Sequence, residues 1–243
     1  MIIVAKWFGR LGNNIIQLSN VIDIAMAESH YIAFKVPAHP FFDLSLIERY
    51  FSEAKNEKVI TDEDNFFYKH RLPYPQSVFE RNATPRNALL KKAFCVHNVE
   101  KGPDDEVVVH VRSGDVFSAL PSPQYVPPPM SYQLRELGRN RYRRIKIVCE
   151  DRANPVVRAL LRLYKNASHA IQPLTHDIKT ILGAANIIQS MGTFVPSLMQ
   201  LSNNIKFIHP SFDRTANRAY YEVASPWKNT YNQLRALMSY RCK

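Results

Sequence analysis

The sequence has 243 residues, 32 Lys and Arg against 21 Asp and Glu for a formal net charge of +11, 46% hydrophobic residues and only seven glycines. That balance excludes a disordered, collagenous or coiled-coil chain and suits one large or two small globular domains. No apolar run approaches the ~20 residues that a bilayer span needs, and Lys6 and Arg10 interrupt the first one, so neither a transmembrane segment nor a signal peptide is expected.

In chain order, Ile2–Trp7 reads as a strand, Asn14–Glu28 as an amphipathic helix with Ile15, Leu18, Ile22 and Met26 on one face, and Tyr31–Val36 as a second strand. After Pro37 the pattern becomes aromatic and irregular. Lys101-Gly102-Pro103-Asp104 punctuates a junction, and beyond it strands and helices alternate. Strands are expected at 106–112, 144–150, 167–172, 186–190 and 205–209. Helices are expected at 131–137, 154–164, 176–185 and 195–202, with Asn154 as N-cap and Pro155 in the first turn of the second. A last helix over 226–240 packs back through Trp227, Leu234 and Leu237. Alternation of this kind makes a parallel sheet covered on both faces. The expected fold class is therefore α/β, with two Rossmann-like domains and a cleft between them: 1–101, 102–225, and a C-terminal helix in 226–243.

In such sheets ligands meet the carboxyl ends of the strands, so the residues after each strand are where chemistry is expected. The first strand runs into Gly9-Arg10-Leu11-Gly12-Asn13-Asn14, where glycines allow close approach and a helix N-terminus offers N–H groups to an anion. The first strand of the second half ends in His110-Val111-Arg112-Ser113-Gly114-Asp115. Period two puts His110 and Arg112 on one face, and a guanidinium at a strand tip suits a diphosphate. The alternative is an Arg112–Asp115 ion pair that only closes the turn. A third segment joins Asp177 to Ser190-Met191-Gly192-Thr193-Phe194, a strand-to-helix junction whose amides and hydroxyls can hold a phosphate, with Thr193 also placed as an N-cap.

Together GRLGN, HVRSGD and the block from Asp177 to SMGTF resemble the motifs of the α-1,2-, α-1,6- and protein O-fucosyltransferases, in the same order and over most of the chain. The resemblance implies a GT-B fold, inversion at the anomeric carbon, a nucleotide-diphosphate sugar donor (usually GDP-fucose), a glycan or glycoprotein acceptor, and no divalent metal or other cofactor. Ser113 stands where many members have a second arginine. On this reading Arg112, Asn13 and Asp115 are the catalytic candidates. Gly9, Arg10, Gly12, His110, Gly114, Asp177, Ser190, Gly192, Thr193 and Phe194 face the donor. Asp115, Glu150, Asp151 and Asp43 are the candidates for a base.

Other readings stay open. A different donor such as UDP-xylose is one, and a catalytically inactive binding protein of the same fold is another. Asp62-Glu63-Asp64 after Val59-Ile60 has the form of a DxD metal site, or of a solvated helix start. Ser131–Lys165 carries ten basic and three acidic residues. Within it Arg139-Asn140-Arg141-Tyr142-Arg143-Arg144 raises a nucleic-acid-binding module, although no RNP, KH or zinc-finger pattern accompanies it and nucleic acid is not the expected partner. Cys95, Cys149 and Cys242 have no metal or disulfide spacing, which fits a reducing, cytoplasmic or otherwise soluble setting. Asn82-Ala-Thr84 and Asn166-Ala-Ser168 match the glycosylation sequon by chance on this reading.

Overall fold

The computed structural model describes residues 1–61, 67 and 75–242. Asp62-Glu63-Asp64 therefore lies outside the described residues. The chain divides into two compact units, one of Met1–Asn98 with Pro196–Leu201, the other of Val99–Val195 with Ser202–Lys243.

The first unit is built on three short parallel strands: β1 (Ile2–Val4) lies between β2 (Ile32–Phe34) and β3 (Ile60–Thr61). Helix α1 (Leu11–Glu28) follows β1 and buries Ile15, Leu18 and Ile22, the stripe its periodicity predicts, together with Asn14, Gln17 and Asn20. It starts three residues earlier than Asn14, because Arg10 takes extended backbone and its carbonyl already accepts from Asn13 and Asn14 N–H. Among the described residues, the stretch after Pro37, expected to be irregular, holds helix α2 (Leu44–Tyr50) and the long α3 (Gln76–Ala93). Asp43 caps α2 by accepting from Leu46 N–H at 3.1 Å. In α3, Pro85 removes one backbone hydrogen bond, yet the helix continues. Phe79, Leu89, Leu90 and Ala93 repeat at helical spacing and are buried, while Arg86 reaches Asp23 of α1 at 2.6 Å. Tertiary packing overrides the local break here. Asn82 is buried in the same face and donates to the Asp23 carbonyl, so that sequon is spent on packing.

The second unit is a five-stranded parallel sheet in the order β6-β5-β4-β7-β8: β6 (Ala167–His169), β5 (Arg144–Val148), β4 (Glu106–His110), β7 (Asn186–Ile188) and β8 (Phe207–Ile208). β4 is central and comes first in sequence. The chain builds outward from it through β5 and β6, then returns to its other side with β7 and β8, so the order reverses between β4 and β7. A crevice opens at such a switch point because the two crossovers leave in opposite directions. The helices between its strands are α4 (Met130–Gly138), α5 (Pro155–Leu163) and α6 (Leu174–Gly183), while α7 (Phe194–Met199), between β7 and β8 in sequence, belongs from Pro196 on to the first unit. Asn154 caps α5 on Val156 N–H at 3.0 Å, with Pro155 behind it, as its sequence requires. Strand alternation sends Val107, Val109, Ile145 and Ile147 into one core with Tyr132, Val157 and Leu160. The expected α/β class with two Rossmann-like halves is the one observed, with strands shorter than their apolar runs.

The C-terminal segment forms α8 (Arg218–Ala224) and α9 (Tyr231–Ser239), the latter opened by a capping box between Thr230 and Gln233. Trp227 and Leu237 are fully buried, and Trp227 donates its indole N–H to the Val116 carbonyl at 2.8 Å and its backbone N–H to the Pro123 carbonyl at 3.1 Å. Tyr220 donates to the Pro127 carbonyl at 2.6 Å. The proline-rich loop over 117–129, which has few N–H groups of its own, is thus held by donors from the C-terminal segment. Replacing Trp227 by Ala removes a large buried ring and two anchors; urea denaturation should show a loss of about 3–5 kcal/mol.

Candidate functional site

At the end of β4, the backbone turns through Arg112, Ser113 and Gly114 into a 3-10 turn over Gly114–Val116. Ser113 is fully buried: its hydroxyl donates to Asp151 Oδ1 and accepts from Asn154 N–H at 3.0 Å. Asp151 also accepts from Gly114 N–H at 3.1 Å and Ala153 N–H at 2.8 Å. The small Ser113 hydroxyl therefore ties the tip of β4 to the tip of β5. A glycine is required next to it. Gly114 has φ +47°, and a Cβ there would lie 2.4 Å from the Glu150 carboxyl carbon.

Arg112 is the centre of the arrangement. Its Nε and Nη2 donate to Asp115 at 3.3 and 2.8 Å, its guanidinium lies 3.8 Å over the Tyr125 ring, and its side chain is 13% exposed. The ion pair that could merely close the turn is present, and it fixes the plane of the guanidinium rather than hiding it. Nη1, which makes no hydrogen bond among the described residues, faces Gly192. That glycine has φ +99°, and a Cβ at its position would stand 2.6 Å from Nη1. Only glycine meets both demands, the backbone angle and the approach of the cation. His110, one strand step before Arg112 on the same face, is buried with its ring 5.7 Å from Phe194. The β4 and β7 tips thus bring His110, Arg112, Asp115, Gly192, Thr193 and Phe194 together, with Ser190 half-buried in the same turn.

Asp177 sits at the first turn of α6 and is buried. Desolvation raises its carboxyl to about 6, against the opposing pull of His169 and His176. His169 Nε2 bonds the Cys149 carbonyl at 3.1 Å, so that nitrogen carries the proton; the buried Nδ1 has no hydrogen-bond partner among the described residues. Cys149 itself is buried, and desolvation pushes its thiol up to about 12, which keeps it inert.

In the first unit, the turn after β1 is braced by α1. Gln17 accepts from Phe8 N–H at 3.2 Å and donates to the Lys6 carbonyl at 2.8 Å, and Asn14 donates to the Phe8 carbonyl at 3.0 Å. Gly9 has φ +67°, and a Cβ there would meet Asn13 Nδ2 at 2.2 Å, so the Asn13 side chain folds over it. Arg10 is exposed. Gly12 is buried inside α1, its carbonyl accepting from Ser197 at 2.8 Å, a place of packing rather than of open loop. His39 stands beside this turn: Phe41 N–H donates to its Nδ1, so the Nε2 proton points to Asn14 Oδ1 at 3.3 Å, and burial lowers its pKa.

Of the four carboxylates named as base candidates, Asp43 caps α2, Asp151 ties β4 to β5 and Asp115 holds Arg112; Glu150 is exposed, with its carboxyl against Gly114. Tyr125, which supports Arg112, is a contact that the sequence pattern does not announce. No local signal marks it, because twelve residues, two of them prolines, separate it from its partner. Among the described residues no group of three or more His, Cys, Asp and Glu side chains is placed to hold a metal ion, and no helix is long and apolar enough to cross a membrane.

No family model and no curated protein matches the sequence. Among solved structures, similarity is found to POFUT1 in complex with GDP, at 10% identity over 87% of this chain and 97% of that one with a TM-score of 0.47. POFUT1 in complex with GDP-fucose gives 10% identity over the same shares and a TM-score of 0.44. The heptosyltransferase WaaC of E. coli with ADP gives 12% identity, 97% and 96% coverage, and a TM-score of 0.40. Similarity at this level assigns no activity to the chain.

Two outcomes follow from the geometry. Gly192→Val should displace Arg112 and abolish thermal stabilisation by a nucleoside diphosphate, whereas Gly138→Val, at a position with nothing within 4 Å, should keep it. For Asp177, the folded state holds a proton that the unfolded chain releases near 3.8, so its contribution is favourable in acid and is lost as pH rises through about 6. Asp177→Asn should therefore raise Tm at pH 8 and leave it unchanged near pH 4, read by calorimetry.

Proposed function

We propose that the chain is a glycosyltransferase that takes a sugar, most consistent with fucose from GDP-fucose, from a nucleotide-diphosphate donor to a hydroxyl acceptor with inversion and without a metal. The observation that carries this reading is the Arg112 guanidinium, oriented by Asp115 and Tyr125 and aimed at the Gly192 turn, at the switch point of a parallel sheet. In the reaction an acceptor oxygen bonds the anomeric carbon while the bond from that carbon to the diphosphate breaks. The electron pair leaves on the diphosphate, and the hydroxyl proton goes to a base. Charge therefore grows on the phosphate oxygens, where a preorganised guanidinium and the amides of the Gly192 turn are worth most because they need no reorganisation. Arg112 supplies that stabilisation. His110 and Phe194 shape the donor pocket, and Asp177, buried in the first turn of α6, lies in the third motif segment.

The resemblance of GRLGN, HVRSGD and SMGTF to the fucosyltransferase motifs supports the choice of donor, and two of those motifs stand at adjacent strand tips. The nucleic-acid reading loses its best residue. Tyr142 is half-buried, its hydroxyl 2.7 Å from His209 Nε2 and its ring edge-on to that imidazole, so its ring is already engaged within the protein.

The test is turnover of GDP-fucose in excess EDTA by the wild type and by Arg112→Ala, with circular dichroism to verify folding. Removing a charge-stabilising group should cost at least about a hundredfold in kcat. Near-normal turnover by the variant overturns the role of Arg112, and activity that vanishes in EDTA and returns with a divalent ion overturns the metal-independent mechanism.

A further inference from the structure

A basic cluster of the second unit, Arg139, Arg141, Arg143, Arg144, Arg162 and Lys165, lies at the end of the sheet that the donor site does not use. Parallel strands have their amino ends together, and the register sets Arg144 beside Glu106 and Ala167 beside Ile145. Asn166 donates to the Tyr142 and Arg143 carbonyls at 3.0 and 3.3 Å, which brings Lys165 against the Arg141–Arg144 turn. Helices α4 and α5 run back along the sheet to the same pole, where Arg139 follows the end of α4 and Arg162 and Leu163 finish α5.

Acidic residues here answer only part of the charge. Arg143 pairs with Asp105 at 3.5 Å and Arg144 with Glu106 at 3.3 Å, both on the surface, where such pairs are weak. Glu136 is buried and shared by Arg135 and Arg139. Arg141, Arg162 and Lys165 are exposed and have no ion pair among the described residues. A diphosphate at the carboxyl ends of the strands lies at the opposite end of the same sheet, so it does not account for them.

We propose that this pole docks on an anionic phospholipid surface. Lipid fits better than nucleic acid for two reasons on the same patch. The aromatic residue within the basic run, Tyr142, is half-buried and bonded to His209 and Asn140, so its ring is engaged within the protein rather than presented beside the cations. Next to Arg162, Leu163 is 59% exposed, an apolar side chain among cations, which suits the boundary between headgroups and acyl chains. A protein held by this pole would keep the carboxyl ends of the strands away from the membrane plane, open to solvent.

The experiment is co-sedimentation of the full chain with phosphatidylcholine vesicles with and without phosphatidylserine, at low and high salt. The wild type should sediment only with the phosphatidylserine vesicles, and less as salt rises, because screening shortens the reach of the surface potential. Each basic residue near such a surface adds about fivefold, so the triple variant Arg141→Ala, Arg162→Ala, Lys165→Ala should bind on the order of a hundredfold more weakly. Leu163→Ser should weaken binding further without changing its salt dependence. All four side chains are exposed, so urea midpoints should match the wild type. Equal sedimentation with both vesicle types, no sedimentation with either, or an unaffected triple variant overturns the proposal. Tighter binding of single-stranded RNA than of phosphatidylserine vesicles overturns the choice of lipid.

Discussion

The candidate site depends on one largely desolvated cation. Arg112 is 13% exposed at the tip of the central strand, and a guanidinium in that position must be compensated. Asp115 supplies charge, Tyr125 supplies a π face, and Gly192 supplies space. Each is delivered by a different part of the second unit: the turn after β4, the proline-rich loop, and the turn after β7. The loop is in turn fastened by Trp227 and Tyr220, so the C-terminal segment contributes to the position of Arg112 through the loop that carries Tyr125.

The same logic explains the hydroxyl beside it. Ser113 is buried with Asp151 and Asn154 N–H, binding the β4 tip to the β5 tip and to the start of α5. A second arginine could not occupy that position without unpairing Asp151. The small Ser113 hydroxyl thus serves the structure of the turn and leaves Arg112 as the guanidinium at the tip of β4.

Much of this was legible in the sequence, for definite reasons. β-branched runs followed at once by glycine and polar residues mark strand tips, so Arg112, Gly114 and Gly192 could be placed from pattern alone. The N-cap at Asn154 and the stripe Ile15, Leu18, Ile22 followed from local chemistry. Helix α3 was hidden, since Pro85 and the surrounding polar residues look like a break until packing on α1 is seen. Gly12 looked like an open turn and is an interior helix residue, because α1 begins before the asparagines. Tyr125 could not be read at all: contacts across a proline-rich loop leave no periodicity behind. The scarce glycines were informative because three of the seven, Gly9, Gly114 and Gly192, have positive φ.

The central claim is that Arg112 and the Gly192 turn together recognise a diphosphate. Calorimetric titration of the full chain with GDP and with guanosine tests it most directly. Charge-assisted hydrogen bonds to the phosphates should make GDP bind at least about tenfold tighter, with the difference shrinking in high salt. Equal affinity for the two would contradict the account.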